Sequence, residues 1–347
     1  MGQVKSMRRR LAMLCAAALL YVGAGLSRPV RVAAGLSRPI LAQRGQAPAL
    51  VLSQLAWFNR TGRQLSTVGP LADYGNVELS PDGTRVGVAI GELATGTRDI
   101  WIYEPSGQRT RVTSDAADEN WMVWSRDGQN IALNAFTRQQ LALFQSPARD
   151  GAMRTLLLDD ADGKWPVSWS PDGRHLLYVA NRQATGNDIR VLPLFGDRRS
   201  FAFAATAAAE NWAAFSPDGR WVVYSSTEAT GSAEVYVATF PRTGQSVRVS
   251  VDGGSQARWR RNGEILYLDP NRRLMAAAIR ITGDAVAVTG VDPLFTLNLP
   301  FGAYHAFDVT PDGQRILVNT AIVAPNTPSL TVFNRSSANP SGSRGEP

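Results

Sequence analysis

Ser80-Pro81-Asp82-Gly83 decides the fold, because the chain repeats it at near-constant intervals. It returns as Ser125-Arg126-Asp127-Gly128, Ser170-Pro171-Asp172-Gly173, Ser216-Pro217-Asp218-Gly219, Arg260-Arg261-Asn262-Gly263 and Thr310-Pro311-Asp312-Gly313. The glycines stand 45, 45, 46, 44 and 50 residues apart. Proline presets the first central position of a turn, Asp or Asn tolerates left-handed backbone, and glycine takes positive φ freely. Each copy therefore reads as a tight turn between two strands. The residue before it is apolar or aromatic: Leu79, Trp124, Trp169, Phe215, Trp259 and Val309. The residues after it form a β-branched and aromatic run, as in His175 to Ala180 (HLLYVA) and Trp221 to Ser226 (WVVYSS). Strand hairpins at a period of 40 to 50 residues are the signature of propeller blades.

Between these turns a second hairpin recurs, with turn glycines Gly62, Gly107, Gly151, Gly196, Gly244 and Gly283. Two hairpins per period give four strands, which is one blade. The expected fold is all-β, a six-bladed β-propeller over residues 51–335. Its first second-type hairpin precedes the first turn motif, whereas the last motif falls near the C-terminus. The final blade is thus closed by strands from both ends of the chain, which removes the open sheet edges. Ser329 to Asn334 (SLTVFN) reads as a further strand competing for that place, and residues 336–347, rich in Ser, Pro and Gly, read as a disordered tail.

The formal charge of +7 is concentrated at the start of the chain: residues 1–42 hold seven Lys and Arg and no acid, and the remaining 29 basic residues balance 29 acidic ones. A balanced folded part argues against a nucleic-acid partner. The basic start is succeeded by a twelve-residue apolar run, Leu11 to Val22, in the order of a secretory signal. An N-terminal helix spanning this region is the expectation, as a cleaved leader or, in the alternative, a membrane anchor. The mature protein is then exported, periplasmic or extracellular, touches membrane only through this segment, and is monomeric. Removal of residues 1–42 takes away the only cysteine, Cys15, so no disulfide or thiolate site is available.

The aromatic-Ser-Pro-Asp-Gly pattern, followed by an apolar strand and then one such as Asp99 to Glu104 (DIWIYE), resembles the WD40-like (PD40-type) repeat of the bacterial TolB family. It is also similar to propellers attached to bacterial serine/threonine kinases and prolyl oligopeptidases. The resemblance covers roughly residues 51–334. It implies a periplasmic propeller that docks protein partners at the mouth of its funnel. The sequence has no Gly-x-Ser-x-Gly elbow and no kinase Gly-rich loop with its His-Arg-Asp set, so neither peptidase nor phosphoryl-transfer chemistry has its residues here.

Aligned on the turns, the residues five and six places before the first turn residue fall at one rim of the central channel. Those singled out as a ligand-binding set are Tyr74, Glu119, Asn120, Trp165, Glu210, Asn211, Tyr304 and His305. Aromatics there supply contact area, and Asn and Glu supply direction, for a protein, peptide or glycan partner. The plainer reading is that Asn caps loop backbone, Trp packs between blades and Glu faces water. No cofactor motif is present; the one cofactor such a constellation suits is a divalent cation such as calcium. Six-bladed lactonases use comparable Glu and Asn chemistry, so a metal-dependent hydrolase in the channel stays open beside the non-catalytic binding reading, as does a detached sensory propeller of a kinase-like receptor. Two places before the turn, blades two to four carry Val123, Ser168 and Ala214, but the others carry Glu78, Arg258 and Asp308. These become neighbours once the ring closes, so Arg258 is expected to pair with Asp308, Glu78 or both, or else to hook an anionic ligand.

Overall fold

The computed structural model describes residues 52–322 apart from 93, 138–139, 245, 301–302 and 304. The expected leader over 1–42, the strand at 329–334 and the tail at 336–347 lie outside the described residues. Among the described residues no helix is long and apolar enough to cross a membrane. They form six four-stranded antiparallel sheets. Blades are numbered by their turn motif, from blade 1 (80–83) to blade 6 (310–313).

In blade 1 the order from the axis outward is Tyr74–Leu79, Val86–Gly91, Arg98–Tyr103 and Arg109–Arg111. Blades 2 to 5 repeat this. Blade 6 places Phe307–Val309 and Arg315–Ala321 inside and Ser53–Asn59 and Gln64–Ala72 outside. Ser53–Asn59 pairs with Arg315–Ala321 without a break, from Ser53 opposite Ala321 to Asn59 opposite Arg315. The two N-terminal strands are therefore the ones that complete the last blade.

Burial reflects the radial stacking. Second strands are covered on both faces by neighbouring blades, so Trp221–Ser226 is buried at every position and reads as a continuous apolar run rather than an alternating one. Outermost strands such as Gln64–Ala72 are largely exposed. The core is six clusters, each shared by two consecutive blades. The one joining the chain ends sets Leu55, Trp57 and Leu317 of blade 6 against Val77, Val88 and Tyr103 of blade 1.

Within a turn, the Ser80 hydroxyl donates to Asp82 Oδ1 at 2.5 Å and accepts from Arg85 N at 2.9 Å, while Gly83 N donates to Ser80 O at 2.7 Å. The same hydroxyl-to-carboxylate bond recurs at Ser125, Ser170, Ser216 and Thr310. Gly83 has a φ of 75°, and a Cβ there would lie 2.7 Å from Pro311 Cδ. At this turn the glycine thus serves both the backbone and the packing of one blade's turn on the next. Of the second-hairpin glycines, Gly62, Gly107, Gly151, Gly196 and Gly283 also take positive φ.

Candidate functional site: the axial channel

An inner strand is the edge of its sheet, with a ladder partner on one side only, so its other N–H groups need acceptors. The preceding blade supplies them. Asn76 Oδ1 accepts from Met122 N at 3.3 Å, Ser168 Oγ from Phe215 N at 3.1 Å, Gln256 Oε1 from Ala306 N at 3.1 Å, and Asp308 Oδ2 from Leu79 N at 2.8 Å. The inner strands of blades 1, 3, 4 and 5 also break register with their partners, and Trp212, Gln256 and His305 take positive φ near the same level. Bulges of this kind re-aim side chains. Here they decide which residues face the axis.

At the end of the channel where inner strands begin, aromatics meet across it. Trp121 of blade 2 stacks on Trp165 of blade 3 with centroids 5.9 Å apart, and meets His305 of blade 6 edge to face at 4.6 Å. Below them, Arg258 Nη2 lies 2.7 Å from His305 Nδ1. A guanidinium only donates, so Nδ1 is the acceptor and the imidazole carries its proton on Nε2. Burial, then the Arg258 charge, holds the His305 pKa well below its usual range and keeps the ring neutral. Arg258 also reaches Asp308 at 3.4 Å and Glu78 at 3.8 Å, so of the pairings expected with either carboxylate or both it makes both. Arg260 forms a close ion pair with the same Asp308. Burial, reinforced by the Asp308 charge and opposed by both arginines, pushes Glu78 up to about 8.

The rim residues chosen by spacing have varied surroundings. Tyr74 donates to Pro70 O at 2.6 Å. Glu119, fully buried, accepts from Arg154 at 2.7 Å, and burial raises it to about 8 against that pull. Asn120 donates to Asp118 and accepts from Arg98. Glu210 takes the Thr206 hydroxyl at 2.5 Å, and Asn211 accepts from Asn187 at 2.9 Å. Tyr304 lies outside the described residues. The structure thus brings Trp165, His305 and Arg258 to the axis and engages Glu119, Asn120, Glu210 and Asn211 with their own or an adjacent blade. Among the described residues no three His, Cys, Asp or Glu side chains are grouped to hold a metal ion.

The opposite end, where the six turns gather, holds an open cavity of about 170 Å³ with Glu78 and Asp308 toward its floor. Trp124, Trp169 and Trp259 contribute to its walls. Four blades present proline at the second turn position, Pro81, Pro171, Pro217 and Pro311, while blades 2 and 5 present Arg126 and Arg261. Neither arginine was among the site residues expected from sequence; the signal was the loss of the turn proline at these two copies of the motif. Trp121, the other omission, stood in the duplicated Glu-Asn-Trp at 119–121 and 210–212.

No protein-family model matches the chain, and no curated protein matches it in sequence. Solved structures do match in fold. A protein assigned as TolB from Agrobacterium tumefaciens is 17% identical with a TM-score of 0.58, covering 77% of this chain and 97% of its own. TolB from Acinetobacter baumannii is 13% identical at a TM-score of 0.53, covering 79% of this chain and 65% of its own. An oligogalacturonate lyase solved with manganese is 11% identical at 0.50, with 76% of each chain covered. The fold is that of the TolB propellers, as the turn motifs suggest.

Proposed function

We propose that this chain is an exported, non-catalytic binding propeller that takes a protein or peptide partner at the turn-side mouth of its channel. The observation that carries this reading is the contrast between the two ends. At one end Trp121, Trp165 and His305 pack against one another, and the polar rim groups bond within the protein. At the other, tryptophans line an open cavity whose rim carries two guanidinium groups with no hydrogen bond or ion pair among the described residues. Aromatic walls with a few polar groups at a concave mouth suit partner recognition. The axial imidazole lends no support to base catalysis, since its one lone pair is taken by Arg258. Export is supported by the basic leader and the apolar run behind it.

Photo-crosslinking in cells tests the site. A crosslinking residue at position 171 or 217 is expected to trap a discrete partner, and one at 182 or 183, on the opposite face, to trap none. The reverse pattern would move the site to the other rim.

A further inference from the structure

Resting on that reading of the mouth, we infer that it recognises carboxylate: Arg126 and Arg261 form a two-sided clasp for the acidic end of a peptide entering along the axis.

Ring order sets the two arginines opposite each other. The six interblade cores run in sequence around the axis, so blades 2 and 5 are diametrically opposed. At the second turn position their neighbours carry proline, which is apolar and fixed; only these two opposed blades carry arginine. The two charges sense each other: burial first, and then Arg261, lower the proton affinity of Arg126. Two like charges facing across a confined mouth are unfavourable in the empty protein, and an anion between them removes that cost while gaining charge-assisted hydrogen bonds from both sides.

The acids nearby are already engaged. Asp308 is held by Arg260 and by Leu79 N, and Glu78 faces Arg258. The turn carboxylates fold back on their own loops, Asp127 onto Ser125 and Gln129 N, and Asp172 onto Ser170 and Arg174 N. That leaves Arg126 and Arg261 as the guanidinium groups at the mouth with no hydrogen bond or ion pair among the described residues. A cavity of about 170 Å³ is well below the roughly 300–1,000 Å³ of a drug-sized pocket, so it admits a chain end or a side chain rather than a whole ligand. Carboxylate on a peptide meets both conditions, and its source is an Asp or Glu side chain or a free C-terminus.

The test is titration of the purified mature protein with acetyl-pentaglutamate amide, pentaglycine with a free carboxylate, and acetyl-pentalysine amide, read by tryptophan fluorescence. The expected result is a saturable change with pentaglutamate and none with pentalysine. Binding should weaken about tenfold in Arg126→Gln and in Arg261→Gln, and vanish in the double variant, as loss of charge-assisted hydrogen bonds implies. Binding of pentaglycine without pentaglutamate assigns the source to a chain terminus, binding of pentaglutamate without pentaglycine assigns it to side chains, and equal binding of the two means that either carboxylate serves. Both arginines are exposed, so the double variant should melt no lower than the parent, which separates lost binding from lost folding. Undiminished peptide binding by the double variant, or no binding of either anionic peptide, overturns the clasp. Crosslinks from positions 171 and 217 that survive in the double variant would then leave the mouth standing as a site without the acidic preference.

Discussion

At the residue scale, the closing seam shows how a few side chains hold the centre of a ring. Asp308 accepts from Leu79 N and Val309 N and faces both Arg258 and Arg260, so it is a structural acceptor as much as a charge. Glu78 is the less settled member. Its native pKa of about 8 stands above the unfolded value of 4.5, so between these values the native state binds a proton that the unfolded chain does not. Its contribution is fully present below about pH 4.5 and is lost as pH rises through about 8. The slope is at most about 1.4 kcal/mol per pH unit for one proton, and less in practice because the side chain keeps 19% exposure to the cavity. Charged Arg258, Arg260 and Asp308 and neutral His305 are the groups facing it. Glu78→Gln should therefore be more stable than the parent at pH 8 and lose part of the decline seen between pH 5 and pH 8. Urea unfolding at stepped pH checks this, and parallel curves for the two proteins would refute it. Repeat spacing places Glu78, Arg258 and Asp308 correctly beside one another because they occupy one register position on adjacent blades. It does not disclose that Glu119 and Glu210 bond to Arg154 and Thr206, since that depends on where the inner strands bulge, and no residue type announces a bulge.

At the element scale, the turn is both a local and a tertiary device. Its hydroxyl, carboxylate and glycine satisfy one another within six residues, and that is why it could be read from sequence alone. Its second role could not, because it needs the next blade in place. Gly83 and Gly173 separate the two roles: both have φ near 75°, but a Cβ at Gly83 meets Pro311 at 2.7 Å whereas one at Gly173 meets nothing within 4 Å. Gly173→Ala should cost about 1 kcal/mol, the strain of left-handed backbone, and Gly83→Ala about 1–2 kcal/mol more for the clash at the seam. Chemical denaturation of both variants measures the difference. Equal losses would mean that the turns do not pack on one another.

At the scale of the whole molecule, the ring was legible because the register of the repeats leaves two strands at the N-terminus and two at the C-terminus with no other partners. The strand at 329–334 made the choice ambiguous in sequence. The unbroken pairing of Ser53–Asn59 with Arg315–Ala321, and the shared core of Leu55, Trp57 and Leu317, resolve it in favour of the N-terminal hairpin. The opposition of Arg126 and Arg261 belongs to this scale too: each is visible as a departure from proline, yet only a closed ring sets them face to face. A propeller whose chain ends share a blade is thus the premise of the seam, the channel and the mouth alike. Its most direct test is a cysteine pair at Ala56→Cys and Val318→Cys in a chain whose one natural cysteine is removed by Cys15→Ser, positions directly opposed across that pairing. Opposed strand residues lie within disulfide reach. The pair should close quantitatively within one folded chain on mild oxidation and raise the melting temperature; thiols that stay free in the folded protein, or that join separate chains, would contradict the closed ring.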